Sequence, residues 1–374
     1  MRKKILIDAN PIVPYFAQGK INGIGRTCME LIRELEKQRE VLPFDIELFT
    51  QNLKGVSAKH LHTGFKSRHL YLRNTESHNR LSRCLHLREL LSGYDLQHIT
   101  HNYEIVTDPG KCIVTVHDAF FMKFEVPNFD YTAFKEIYPP FIRECRHIIT
   151  PSEYSKRDII KTMDIPSERI TVVPWGVDHE TMYVEQDKTI VCSQLRKEYG
   201  LDRPFFLSVS CDTGRKRTDQ LITAYLKLSN PQNDLVLVWG NPPEDIKKLI
   251  KCHDRIHLFS GINNEELRRL YNCATVALNP SAYEGFGLPI LEAMACGCPA
   301  VTCHNSSLPE VGGNVALYLD EPVSESLPKI MSQIDANELS LDKARIQGPE
   351  RAAQFSWERT VRETVRVYTD ALKI

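Results

Sequence analysis

The chain has 374 residues, 42% hydrophobic and 25% charged, enough apolar material for two ordinary cores and a length that suggests two domains. Lys and Arg number 47 against 48 Asp and Glu, and the formal charge of −1 argues against a polyanion-binding surface spread over the molecule, so no nucleic-acid partner is expected. The opening MRKKILIDANPI has only a few apolar residues before Asp8 and no window approaches 18, so neither a signal peptide nor a membrane-spanning helix is expected.

Short runs rich in Val, Ile and Leu predict strands at 4–7, 44–50, 95–99, 111–116, 147–150 and 170–173. Their apolar character is continuous rather than alternating, as in parallel strands covered on both faces. After the first strand, INGIGR leads into a predicted helix, TCMELIRELEK. Residues 54–88 depart from the overall balance, with eight Lys or Arg, five His and one acid, Glu76. That stretch reads either as a solvated loop and helix face or as a contact to anionic lipid or diphosphate. Leu81, Leu85 and Leu91 among Arg80, Arg83 and Arg88 suit an interfacial helix and equally an ordinary packed one.

A polar stretch without periodicity, 178–203, predicts a linker. The rhythm then repeats, with strands at 204–210, 234–240, 256–259, 274–279, 298–302 and 315–319 and helical spacing at 218–228, 264–274 and 288–296. Residues 356–374 predict one amphipathic helix. Two rounds of strand and helix imply two doubly wound α/β domains, 1–180 and 181–355, with 356–374 as a closing helix. The eleven cysteines suggest reduced thiols in a cytosol. Cys296, Cys298 and Cys303 with His304 lack metal-site spacing and read as small packing residues; no metal is expected.

Ligands of open parallel sheets sit beyond the carboxyl ends of the strands, which selects loops before any motif is invoked. Gly23 and Gly25 either let the backbone approach an anion at a helix start or serve a simple turn. His117, immediately past a buried strand in HDAF, projects into the ligand crevice, or else His117 or Asp118 caps the next segment. Arg215, Lys216 and Arg217 follow the first strand of the second domain, where cations are better explained by a phosphate than by solvent. In NPSAYEGFGLPILEAMACG, Pro289 suits a first helical turn and Gly297 the helix end. Glu284 then lies in the loop and Glu292 near the first turn, where the dipole tolerates a carboxylate. Between them the amides of Phe286, Gly287 and Leu288 make a cradle that matches a sugar nucleotide, since one carboxylate accepts both hydroxyls of a diol.

This stretch resembles the E-x7-E signature of retaining glycosyltransferase family 4, which has the GT-B fold. INGIGRTCMELIREL, VTVHDAFFMKFEVP, TPSEYSKRDIIKTMDIPSERITVVPWGVD and FSWERTVRETVRVY are similar to further family segments in the same order, so the likeness spans nearly the whole chain. It implies two Rossmann-like domains facing a central cleft, with a C-terminal helix crossing back to the first. It implies that Glu292 binds the ribose and Glu284 the transferred sugar, while Phe286, Gly287 and Leu288 offer amides. Lys216 would neutralise the leaving diphosphate, His117 would touch the sugar, and Gly23 and Gly25 would line the diphosphate and acceptor side. Many members carry an arginine several residues before the lysine; here the neighbourhood reads SVSCDTG, with Ser208, Ser210 and Cys211, and Arg215 is the available substitute.

The expected activity is retaining, metal-independent hexosyl transfer, with mannose favoured, in cell-surface polysaccharide or lipopolysaccharide assembly. No cofactor is expected beyond a GDP- or UDP-linked sugar as substrate. The acceptor would be a saccharide, lipid-linked at the inner membrane face, which gives residues 54–88 a role and places the protein in the cytoplasm or peripherally on the plasma membrane. A non-catalytic nucleotide-sugar-binding protein and a sugar-nucleotide epimerase are the alternatives.

Overall fold

The computed structural model describes residues 2–19, 22–102, 104–124, 132–209 and 214–373, which divide into two compact units. Unit 1 comprises Met1–Gly176 with Trp357–Ile374, and unit 2 is Val177–Ser356.

The sheet of unit 1 has seven parallel strands: β1 Lys4–Asp8, β2 Asp45–Gln51, β3 Lys66–Leu70, β4 Leu96–Ile99, β5 Cys112–Thr115, β6 His147–Thr150 and β7 Ile170–Val172, in the order β3-β2-β1-β4-β5-β6-β7. The central β1, β4 and β5 are almost wholly buried, which is why their sequences read as unbroken apolar runs. Strand β3, KSRHL, is a polar, half-buried edge strand, and its charged composition hid it inside the basic region.

The helix Gly23–Lys37 begins at the glycines rather than after them. Asn22 caps it, accepting from the Gly25 N–H at 2.8 Å, and Ile32 and Leu35 pack on β1 and β2. The closing helix, Trp357–Leu372, packs into the same core through Val361, Val367 and Tyr368. Tyr368 is fully buried; its hydroxyl lies 2.6 Å from His98 Nδ1 and its ring meets Phe44 edge-on. A buried phenol needs such a partner, and His98 on β4 supplies it.

Unit 2 has six parallel strands: β8 Phe205–Val209, β9 Asp234–Val238, β10 Ile256–Phe259, β11 Val276–Asn279, β12 Ala300–Cys303 and β13 Leu317–Leu319, in the order β10-β9-β8-β11-β12-β13. The stretch expected to be a linker contains a helix, Lys188–Tyr199, capped by Asp187 and closed by Gly200. It buries only Val191 and Leu195, one contact per turn, so no apolar stripe is legible in KTIVCSQLRKEY. Cys192 on this helix forms a disulfide with Cys273 at the end of the helix Asn264–Cys273, so these two thiols depart from the reduced state expected of all eleven. Cys296, Cys298 and Cys303 are buried and free, as packing residues. Among the described residues no helix is long and apolar enough to cross a membrane.

Each sheet has one point where successive connections leave in opposite directions: between β1 and β4 in unit 1, and between β8 and β11 in unit 2. Ligands of doubly wound sheets bind at the carboxyl ends of the strands flanking this point.

Candidate functional site

In unit 2 the loops beyond β8 and β11 bring together residues 68 positions apart. Lys216 ends a 3-10 turn, Gly214–Lys216, after β8; its Nζ meets Glu284 Oε1 in a close ion pair, both side chains being largely shielded from solvent. Burial alone would raise the Glu284 pKa. The charges of Lys216 and then Arg215, with hydrogen bonds from Lys216 and Ser281, outweigh it and hold the carboxyl below its ordinary range. Arg217, the third cation of the run, is turned away: its guanidinium bonds Glu321 at 2.8 Å, and its φ of +52° starts the helix Thr218–Leu226. Of the segment that replaces the family's upstream arginine, Ser208 is buried at the end of β8, while Ser210 and Cys211 lie outside the described residues.

Glu284 is fixed by more than its cation. Its N–H donates to Ser306 Oγ at 3.0 Å, and Ser307 Oγ lies within hydrogen-bond distance of the Glu284 and Phe286 carbonyls. The Ala282 N–H donates to the Arg215 carbonyl at 2.8 Å, tying this loop to the cationic one. Ser306 has φ +50°, a strained conformation for serine that aims its hydroxyl at the Glu284 amide. At the end of β11, Asn279 Oδ1 lies 2.6 Å from Ser281 Oγ, while its buried Nδ2 has no partner among the described residues. No motif at the sequence level pointed to Ser306 or Asn279.

Gly287 caps the helix Leu288–Ala295 with φ +114°, and a Cβ there would lie 3.2 Å from Leu308 Cδ2, so this turn requires glycine. Phe286 turns its ring inward against Phe355, and its carbonyl accepts from Ser307 Oγ. Glu292 is the fifth residue of the helix rather than part of its first turn, so the dipole does not explain it. It is 5% exposed, with the Tyr271 hydroxyl 3.5 Å from Oε2.

In unit 1 the residues singled out from sequence are placed differently from one another. Gly23 is exposed, with open space where a Cβ would stand, whereas the Gly25 N–H is spent on the Asn22 cap. His117 does not project freely: it is buried, packed against Trp175 at 4.9 Å, and its Nε2 donates to the Thr100 carbonyl at 2.8 Å. Burial lowers its pKa to about 4 despite that bond, so the ring is neutral and Nδ1 is a buried acceptor without a partner. The Asp118 carboxylate accepts from the Phe120 N–H, the capping alternative.

The most concentrated charge in unit 1 was not legible in sequence. Asp8 ends β1, and His101 and Glu104 follow β4, so they flank the switch point; Arg88 joins them from the helix Leu87–Ser92. Arg88 bonds Asp8 Oδ2 at 3.2 Å and Glu104 Oε1 in a close pair, and lies over the Phe49 ring. Burial, followed by the charge of Glu104, raises the Asp8 pKa to about 6. Burial opposes charging of His101, but hydrogen bonds to Asp8 and Glu104 prevail and lift it to about 9. Arg88 therefore belongs to the interior and cannot serve the anionic surface contact expected of it. Arg68 likewise pairs with the buried Glu47 at 3.1 Å. Asp8, His101 and Glu104 bring their ligand atoms within 4.8 Å of one another, but a metal ion would have to displace the guanidinium from both carboxylates.

A family profile described as Glycosyltransferase Family 4 matches residues 21–181, and one described as Glycosyl transferases group 1 matches 193–345. The chain is 27% identical to O-antigen chain mannosyltransferase B of Escherichia coli over 98% of its own length and 99% of that protein. It is 26% identical to the serotype-specific mannosyltransferase WbdA of Escherichia coli over 71% of this chain, which spans 34% of that longer protein. Among solved structures, a sucrose-phosphate synthase from Thermosynechococcus elongatus superposes with a TM-score of 0.78 over all of both chains at 18% identity, which shows the shared GT-B fold.

Proposed function

The chain belongs to glycosyltransferase family 4, and from that premise we propose that it transfers a hexose, mannose in the favoured reading, from a GDP- or UDP-linked sugar to a saccharide acceptor with retention of anomeric configuration. The observation that carries the proposal is the Lys216–Glu284 pair with Glu292 at the switch point of unit 2. The mannosyltransferase relative matched along its whole length favours mannose and a cell-surface polysaccharide or lipopolysaccharide acceptor.

Cleaving the bond from sugar to diphosphate develops positive charge on the ring and negative charge on the leaving group. Lys216 and Arg215 supply cations for the latter in a site already shielded from water. Glu292 accepts the ribose hydroxyls and Glu284 those of the sugar, with the Phe286, Gly287 and Leu288 amides between them. In unit 1, His117 offers Nδ1 to a substrate hydroxyl, and Gly23 leaves its backbone open to an acceptor or phosphate oxygen. Retention follows from attack on the same face as the departing diphosphate, whose oxygen takes the acceptor proton. With two side-chain cations neutralising that group, the chemistry calls for neither a metal ion nor a cofactor.

The acceptor is proposed to be lipid-linked and the protein cytoplasmic and peripheral. Leu81, Leu85 and Leu90 are exposed on the helices around Arg80 and give this reading a surface, now without Arg88. The binding-only and epimerase alternatives are not favoured. The test is incubation with GDP-mannose or UDP-hexoses and a saccharide acceptor, reading the anomeric configuration of the product by NMR. Transfer with retention is expected. An inverted product would remove the retaining assignment, and hydrolysis without any transfer would remove the acceptor one.

A further inference from the structure

Lys216 spends its charge on Glu284, and among the described residues Glu284 is its one ion-pair partner. The two ends of the pair are held differently. Glu284 is anchored through its own backbone by Ser306 and Ser307, and through its loop by the Ala282 bond to the Arg215 carbonyl. Lys216 reaches it from a single 3-10 turn on a flexible four-carbon stem. If the pair is pulled apart, the cation moves and the carboxylate stays.

A diphosphate entering this site must draw Lys216 away, because the buried Glu284 carboxylate otherwise repels it. What then happens to Glu284 depends on what the diphosphate carries. A hexose brings hydroxyl donors to the carboxylate as the ammonium leaves, so the buried charge exchanges one set of strong hydrogen bonds for another. A spent nucleoside diphosphate brings none. Glu284 is then left with Arg215 at longer range and Ser281, and an uncompensated buried charge is costly.

We propose that Glu284, by competing for Lys216, makes the site discriminate the sugar-loaded nucleotide from the spent nucleoside diphosphate and so favours product release. The inference rests on the donor-site reading above and adds a property to it: Glu284 does not strengthen nucleotide binding in general but weakens the binding of the product. One charge-assisted hydrogen bond corresponds to about a tenfold or greater difference in affinity, which sets the scale of the preference.

The experiment titrates GDP, UDP and their hexose-loaded forms into the full chain by calorimetry, for wild type, Glu284→Gln and Glu284→Asp. Glu284→Gln removes the charge at nearly constant volume and keeps the backbone anchors. It is expected to bind the spent diphosphate about tenfold more tightly than wild type while failing to gain for the loaded nucleotide, so the preference collapses. Glu284→Asp keeps a buried charge but withdraws it from Lys216, and a smaller tightening in the same direction is expected even if the glutamine variant does not fold. Spent diphosphate bound equally or more weakly by the variants overturns the inference while leaving the donor site intact. Failure of wild type to bind any of the four nucleotides overturns the donor-site reading, and this inference with it.

Discussion

The two switch points hold the same kind of material, buried carboxylates with cations, and finish it in opposite ways. At the β1/β4 point, Asp8 and Glu104 face Arg88 and His101, two negative groups with two positive ones, and the guanidinium joins both acids. At the β8/β11 point one lysine meets Glu284, and Glu292 lies buried nearby with a tyrosine hydroxyl at 3.5 Å. The first cluster is charge-balanced and locked by a rigid fork. The second has a mobile cation, an Asn279 amide end unpartnered among the described residues and a strained Ser306. A closed cluster organises its unit; an open one is suited to exchanging partners with a ligand.

The contrast predicts different failures. Arg88→Ala leaves two acids buried around a histidine and should destabilise unit 1 by about 3–5 kcal/mol in urea unfolding, with nucleotide binding by unit 2 retained in any folded fraction. A cost under 1 kcal/mol would mean that the quartet is not the lock described. Lys216→Ala should lower turnover by about 10²–10³-fold, the scale for one preorganised charge-stabilising group, and should also cost unit 2 stability, because it leaves the Glu284 carboxylate buried without its cation. Arg217→Ala, whose partner is the exposed Glu321, should change turnover by no more than roughly threefold. Equal losses at 216 and 217 would remove the distinction between them. Tyr368→Phe leaves His98 Nδ1 unpaired beneath the closing helix and should cost about 1–3 kcal/mol of unit 1 stability without altering nucleotide affinity.

The pH dependence should separate the units on the alkaline side. His101 is raised to about 9, so its contribution is complete below about 6.5 and fades as pH rises through 9; the raised Asp8 acts in the same direction between about 4 and 6. Glu284 is lowered, so its contribution is present above about 4.5 and is lost as pH falls below that. Hydrogen exchange followed from pH 4 to 10 should show an alkaline limb in unit 1, set by His101, and an acid limb in both units, since Glu104 and Glu47 in unit 1 are held below their ordinary range as Glu284 is in unit 2. His101→Gln should flatten the alkaline limb alone, and an unchanged limb would contradict the assignment.

Much of the fold was legible because buried parallel strands announce themselves as continuous apolar runs, and twelve of those runs became strands at nearly the expected places. The elements that escaped notice carry weak apolar signals. Strand β3 lies at an edge and is charged, and the helix Lys188–Tyr199 buries two residues in three turns. The donor-site candidates were legible because Glu284, the glycine turn and Glu292 lie within one short segment. The Asp8 quartet was not, since Arg88 and Asp8 are 80 residues apart and nothing local marks the arginine as internal. Its neighbours suggested a surface, and only packing on Phe49 and pairing with two acids reveal otherwise. His117 shows a similar limit: position after a strand identified it, but not that one ring nitrogen is committed to Thr100.

Whether unit 2 is a nucleotide-sugar site turns on Glu292, the buried acid that the helix dipole does not explain. Calorimetric titration of GDP-mannose and UDP-hexoses into wild type and Glu292→Ala should give saturable binding of one loaded nucleotide by wild type. The variant should bind it at least about tenfold more weakly, as expected for losing a charged acceptor to two ribose hydroxyls. Unchanged affinity in the variant, or no binding by wild type, would contradict the assignment of unit 2 as the donor site.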